Sequence, residues 1–166
     1  MYATIDDFLL DWKAESKATL RVLKALTDRS LSQKVSPEGR SLGYLAWHIA
    51  LAIGEMGGRA GLAIDAPAEE SAEPAAAAEI VSAYRKAARS LDVQVRERWT
   101  DAMLADELEM YGAKWKRTTV LASLVRHQIH HRGQLTVLMR QAGLTVPGVY
   151  GPAREEWAKM GMDPQR

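Results

Sequence analysis

The chain has 166 residues, 47% hydrophobic and 26% charged, a balance that suits one folded domain over residues 1–166 and excludes a disordered chain. Lysine plus arginine number 22 against 21 acids, so the formal charge is +1 and no basic excess is available to hold a nucleic-acid backbone. The absence of cysteine removes disulfides, thiolate metal ligands and any protein-thiol nucleophile together.

The acidic start, Met1-Tyr2-Ala3-Thr4-Ile5-Asp6-Asp7, lacks the basic and apolar regions of a signal peptide. The longest near-apolar run, Leu45 to Gly54, falls far short of the roughly 20 residues a bilayer requires. Both features predict a cytoplasmic protein that does not enter a membrane.

The first helix places Ile5, Phe8, Leu9, Trp12, Ser16, Thr19, Leu20, Leu23 and Leu26 on a 3.6-residue period, with Thr4 and Asp7 in the spacing of a capping box. It is expected to end between Thr27 and Ser30, before a Ser32–Arg40 loop broken by Pro37 and Gly39. Ser41 caps a second helix whose inward line is Leu42, Leu45, Ile49, Ala52, Ile53 and Met56, and Gly57, Gly58 and Gly61 are expected to end it. The same glycines, with Gly54, offer a close approach to a second copy, as in a homodimer, or equally are no more than a flexible exit from the helix.

An Ala/Glu/Pro-rich connection, Ala63 to Pro74, leads to a third helix from about Ala75 to Arg98 with Ile80, Val81, Tyr84, Ala87, Leu91 and Val95 inward. Glu107 to Tyr111 pairs briefly with Lys114 to Arg117 around Gly112. The fourth helix runs from Arg117 or Thr118 to Gly143, with Val120, Leu124, His127, His131, Leu135 and Leu138 inward. A tail with Pro147, Gly148, Gly151 and Pro152 ends in a short helix near Ala153 to Met160. Four amphipathic segments predict an all-α fold: a four-helix bundle with a short C-terminal helix.

The chain has four histidines. His127 and His131 lie about 40° apart on one helical face, inside an apolar stripe. His48 sits inside the stripe of the second helix, four residues before Ala52. Three imidazoles directed at one interior each need a buried partner, and a metal ion satisfies all three nitrogens. His130, three residues from His127 and roughly 60° round the other way, is an alternative partner that spacing leaves open, although His131 better continues the line through Leu124 and Leu138.

His127-Gln-Ile-His-His131-Arg132-Gly133-Gln134-Leu135 resembles the H-x-x-x-H-R-G-Q signature of the DinB-like family (the DinB/YfiT superfamily). Leu45-Ala46-Trp47-His48-Ile49-Ala50 resembles that family's first-ligand segment, and Gly143 to Pro152 its segment after the last helix. The resemblance implies a four-helix bundle, commonly dimeric, with zinc or nickel on His48, His127 and His131, and His130 outside the ligand set. It does not imply DNA binding. It implies transferase or isomerase chemistry with low-molecular-weight thiols such as bacillithiol or mycothiol.

Three neutral imidazoles with open positions suit a catalytic metal rather than a closed structural one. Such a metal lowers the pKa of bound water toward 7 or holds a bound thiol as thiolate. Without cysteine, the nucleophile must come from outside. Gln128 stands where H-E-x-x-H enzymes carry their glutamate base, so the site is not of that kind.

Glu55, seven residues after His48 and within about 20° on the same face, is the candidate to orient a ligand or take a proton. Arg132 is a candidate for a carboxylate of the thiol. Gly133 suggests the close approach of another backbone. Trp47, Trp115, Tyr111 and Tyr150 are candidates to line a cleft. The sequence therefore points to a metal-dependent thiol S-transferase acting on a small-molecule substrate. A hydrolase using metal-bound water and a non-catalytic metal-binding stress-response protein are the alternatives.

Overall fold

The computed structural model describes residues 1–163; the last three residues of the expected 1–166 domain lie outside the described residues. Among the described residues, four long helices form the bundle: α1 (Ile5–Lys24), α2 (Leu42–Arg59), α3 (Ala77–Arg98) and α4 (Arg117–Gln141). Short 3₁₀ turns occupy Asp28–Ser32, Asp101–Ala105 and Arg154–Met160. A hairpin of β1 (Glu107–Met110) and β2 (Ala113–Lys116) precedes α4, in the register Glu107↔Lys116 to Met110↔Ala113. No helix among the described residues is long and apolar enough to cross a membrane.

Helices α1 and α2 each pack on both α3 and α4, so α1 and α2 occupy opposite corners. Chain neighbours on a diagonal need long connections, which explains the 3₁₀ turn and loop between α1 and α2 and the hairpin between α3 and α4. The core between the corners contains Phe8, Trp12, Ile53, Ile80, Leu91 and Leu135, all essentially buried. The Trp12 indole N–H, which burial would otherwise leave without a partner, donates to the Ala88 carbonyl at 3.0 Å and ties α1 to α3.

Several helix starts are capped from elsewhere in the chain. Thr4 and Asp7 form the expected capping box on α1, and Asp101 accepts the Ile5 N–H at 2.8 Å as well. Helix α3 has no cap of its own; Asp28 accepts the Ala77 N–H at 2.7 Å. Ser41 accepts the Tyr44 N–H of α2 at 2.9 Å as expected. These carboxylates satisfy orphan amide groups and favour the positive ends of the helices.

Two boundaries differ from the sequence reading. Helix α1 stops at Lys24, because Thr27 and Ser30 cap each other and start the Asp28–Ser32 turn. Helix α2 passes through Gly57 and Gly58, and Gly61, at φ +83°, is the residue beyond its end. A Cβ on Gly57 would stand 2.5 Å from Ile64 and one on Gly54 2.7 Å from Ala66. Those two glycines thus receive the chain's own return segment, not a second copy. Gly133 meets no neighbour within 4 Å, so no backbone approaches it.

The core also holds charge. Glu15 and Arg132 are 7% and 2% exposed, and the guanidinium meets the carboxylate at 2.6 Å. Arg132 donates further to the Glu15 carbonyl and to the Thr19 hydroxyl, both at 3.1 Å. Thr19 donates to Gln128 Oε1 at 3.4 Å, and the fully buried Tyr84 hydroxyl donates to the same oxygen at 2.7 Å. One polar chain therefore links α1, α3 and α4.

Removing one partner leaves a desolvated charge. Glu15→Ala is expected to lower stability by about 3–5 kcal/mol in urea unfolding, and the double variant Glu15→Leu/Arg132→Met to recover most of that loss. A loss below about 1 kcal/mol for Glu15→Ala would mean that the guanidinium reaches water.

Candidate metal centre

His48 projects from α2 and His127 and His131 from α4, and the packing of these two helices brings the rings together. The His127 Nε2 lies 3.1 Å from Nε2 of both His48 and His131. The three rings stand steeply to one another, with centroids 4.5–4.9 Å apart. His130 is exposed, its ring beside that of His131 at 4.9 Å, and its nitrogens do not join the cluster.

Burial is the first cause that lowers the pKa of each imidazole in the cluster. His127 is pushed down to about 4, by desolvation and then by His131 and His48. His48 is lowered by desolvation, then by His131 and Arg40. His131 is lowered by desolvation, with its bond to Gln134 opposing. All three are therefore neutral near pH 7, the form that binds metals.

Gln134 Oε1 lies 2.7 Å from His131 Nδ1, which fixes the proton there and leaves Nε2 as a lone pair. His127 Nδ1 is buried without a partner.

These nitrogens fit a metal. Tetrahedral ligation at about 2.0–2.1 Å would separate two donors by about 3.3 Å; the two pairs that include His127 Nε2 stand at 3.1 Å, and all three donors lie within 4.8 Å of one another. Without a cation, His127 Nε2 faces two lone-pair-bearing nitrogens and can share at most one proton with them. An ion bound by all three resolves that conflict.

One member of the cluster, His48, faces a cavity. His48, Tyr44, Trp47, Leu51 and Glu55 line a cavity of about 340 Å³, whose far wall is the loop from Glu69 to Glu73. The Trp47 N–H donates to the Ser71 carbonyl at 3.1 Å and holds that loop in place. Glu73 lies against Gly43, near the Ser41 cap, where a Cβ would strike its carboxylate.

Glu55 Oε1 accepts from Arg59 and from the Tyr111 hydroxyl, both at 2.9 Å. Its negative charge acts on both His48 and His127. Tyr111 occupies the hairpin turn at φ +53°, a conformation unusual for a non-glycine residue, and meets Trp115 edge-on. It approaches the site through Glu55.

Two expected substrate-binding residues lie elsewhere. Arg132 follows His131 but points into the core, with its guanidinium bound to Glu15, Thr19 and Tyr150. Tyr150 completes that network from the tail, its hydroxyl 3.0 Å from Glu15. Gln128 likewise faces the core, bonded to Tyr84 and Thr19. The sequence reading passed over Tyr44, one helical turn before His48 on α2, and Arg40, which precedes the Ser41 cap of that helix. The i, i+4 spacing of Tyr44 to His48 was the available signal for the first of them.

Comparison with known proteins agrees with the fold. The profile of the DinB family matches residues 1–166. The protein YrdA of Bacillus subtilis (strain 168), described as uncharacterized, is 44% identical over 163 residues, 98% of each chain. A crystal structure of a DinB-like protein from Bacillus cereus ATCC 10987 superposes with a TM-score of 0.87 at 42% identity, over 90% of this chain and all of that one. The DinB-like protein YjoA of Bacillus subtilis shares the fold at 20% identity, with a TM-score of 0.68 over 86% of this chain and 96% of that one.

The lowered imidazoles give a pH dependence of defined sign. The folded chain binds fewer protons than the unfolded one between the ordinary histidine value of 6.5 and about 4, so stability falls as pH falls through that window. The metal-free protein should lose denaturant midpoint from pH 7 to pH 4.5, and His127→Gln should lose less. Equal losses in the two proteins would show that His127 is not held neutral.

Proposed function

The chain belongs to the DinB family, and from that premise we propose that it is a metal-dependent enzyme that activates a low-molecular-weight thiol for S-transfer. One observation carries this reading: three neutral imidazoles converge and one of them, His48, lines an open cavity, in a chain with no thiol of its own. The cavity supports turnover over a closed, purely structural site.

His48, His127 and His131 would hold the ion, zinc or nickel by the chemistry of the donor set. When bound, the ion supplies a Lewis acid that favours thiolate over thiol near neutral pH. Gln134 keeps the His131 proton on Nδ1, so that Nε2 stays available.

Glu55 is the group we assign to receive the thiol proton. Both of its bonds fall on Oε1, which leaves Oε2 for that proton. The sulfur then forms its bond to the electrophile as the leaving group departs. Tyr44, Trp47 and Leu51 supply an apolar wall that excludes water from the electrophile.

Glu55 also favours a second reading, a hydrolase in which the same carboxylate takes its proton from water. The two separate by assay. Protein purified without an affinity tag should contain a divalent ion that the His127→Ala/His131→Ala variant lacks; unchanged metal content would remove the site. Reaction with a model electrophile should require added thiol and fall to background in His48→Ala. Turnover without thiol would favour the hydrolase, and metal binding without turnover in either assay would favour the non-catalytic reading.

A further inference from the structure

Arg40 immediately precedes the Ser41 cap of α2, and its guanidinium carbon lies 5.0 Å from the centre of the Tyr44 ring. Tyr44 in turn lies nearly parallel to His48, with ring centroids 6.0 Å apart at 12°. Arg40, just before the helix, stacks on Tyr44, and Tyr44 stacks on His48 one turn further along α2, so the three side chains form a column that ends at the histidine cluster. Arg40 is exposed, and among the described residues no carboxylate pairs with it. Its charge nonetheless acts on both His48 and His131. Arg40 also borders a groove of about 340 Å³ shared with Leu45, Val137 and Gln134, the residue bonded to His131. A ligand extending from the cluster along the α2–α4 seam would pass the guanidinium.

The charge balance around the cluster asks for an anion. The groups acting on the imidazoles are Arg40, Glu55 and His130, besides the imidazoles themselves. Glu55 is already paired with Arg59 at 2.9 Å. A divalent ion on three neutral imidazoles therefore adds two positive charges, and the one carboxylate that acts on the imidazoles is already held by Arg59. A thiolate cancels one of these, and the second remains beside Arg40. Glu69, Glu70 and Glu73 line the cavity next to His48, whereas Arg40 borders the groove shared with Gln134.

We propose that Arg40 sets the specificity of the centre by binding a carboxylate carried a few atoms from the coordinating sulfur, so that the cosubstrate is an anionic thiol. This rests on the thiol reading above. The planar guanidinium suits a carboxylate, and the Tyr44 face holds it at a fixed height over the seam.

The test is calorimetric binding of three small thiols to the zinc-loaded protein: mercaptoethanol, cysteamine and mercaptopropionate. Mercaptopropionate should bind roughly tenfold tighter than mercaptoethanol, the low end for a charge-assisted hydrogen bond at an exposed site. Arg40→Gln should erase that ratio without changing mercaptoethanol affinity, and Arg40→Lys should keep part of it.

Equal affinities in the wild type, or a ratio that survives Arg40→Gln, would overturn the assignment while leaving the thiol reading intact, because the neutral thiol still binds. Tightest binding of cysteamine would overturn it in favour of the glutamates across the cavity. An equal weakening of all three thiols in Arg40→Gln would reduce Arg40 to a prop for Tyr44 and overturn it also. If none of the three binds, the thiol reading fails and this proposal with it.

Discussion

The ion pair between Glu15 and Arg132 fixes the rotation of α4, and the histidine cluster depends on that rotation. Gln128 and Arg132 are one helical turn apart, and each directly follows a histidine of the cluster. Successive residues on a helix point about 100° apart. With Arg132 bound to α1 and Gln128 bound to Tyr84 of α3, His127 and His131 are turned toward α2, where His48 meets them. A rotation of α4 that pulled the imidazoles from His48 would also strip a buried guanidinium and a buried amide of their partners. The cost of desolvated polar groups thus holds the site in register.

The connections are held by a related principle. Asp101 caps α1, Asp28 caps α3, and Glu73 lies against the first turn of α2, so segments distant in sequence supply partners to helix starts. The last of these matters for the cavity. The loop that forms its far wall is fastened at Glu73 and again where Trp47 donates to Ser71, and Ile64 and Ala66 seat on the glycines of α2. The long Ala/Glu/Pro-rich connection is therefore an ordered wall.

Most of the fold was legible because its signals are periodic and local. Apolar spacing located four helices, and Thr4, Ser41 and Gly143 marked ends through caps with a known mechanism. The three clustered histidines were visible because they break an apolar stripe, and spacing alone did not choose between His130 and His131. Glu15 and Arg132 were not legible as a core pair. At the Glu15–Ser16 turn the stripe admits either residue, and burial statistics favour the serine, since a carboxylate enters a core only with a partner that one helix cannot reveal. Arg132 carries the same ambiguity, because its motif position says nothing of which face it occupies. Arg40 escaped for a different reason: it lies outside the helix in sequence, and only the ring stack through Tyr44 connects it to His48.

The two faces of α4 divide the work between rigidity and reactivity. The face bearing Gln128 and Arg132 is closed, with its principal polar groups spent on α1, α3 and Tyr150. The face bearing His127 and His131 keeps nitrogens in excess of the protons they can share, beside His48, whose ring lines a cavity. Around that face the charge is asymmetric: Glu55 acts on His48 and His127, whereas Arg40 acts on His48 and His131. A ligand at the cluster therefore meets a proton acceptor on one side and an unpaired cation on the other. Since the first is already held by Arg59 and Tyr111, the field that remains to be satisfied is positive, and it is the incoming molecule that must bring the negative charge.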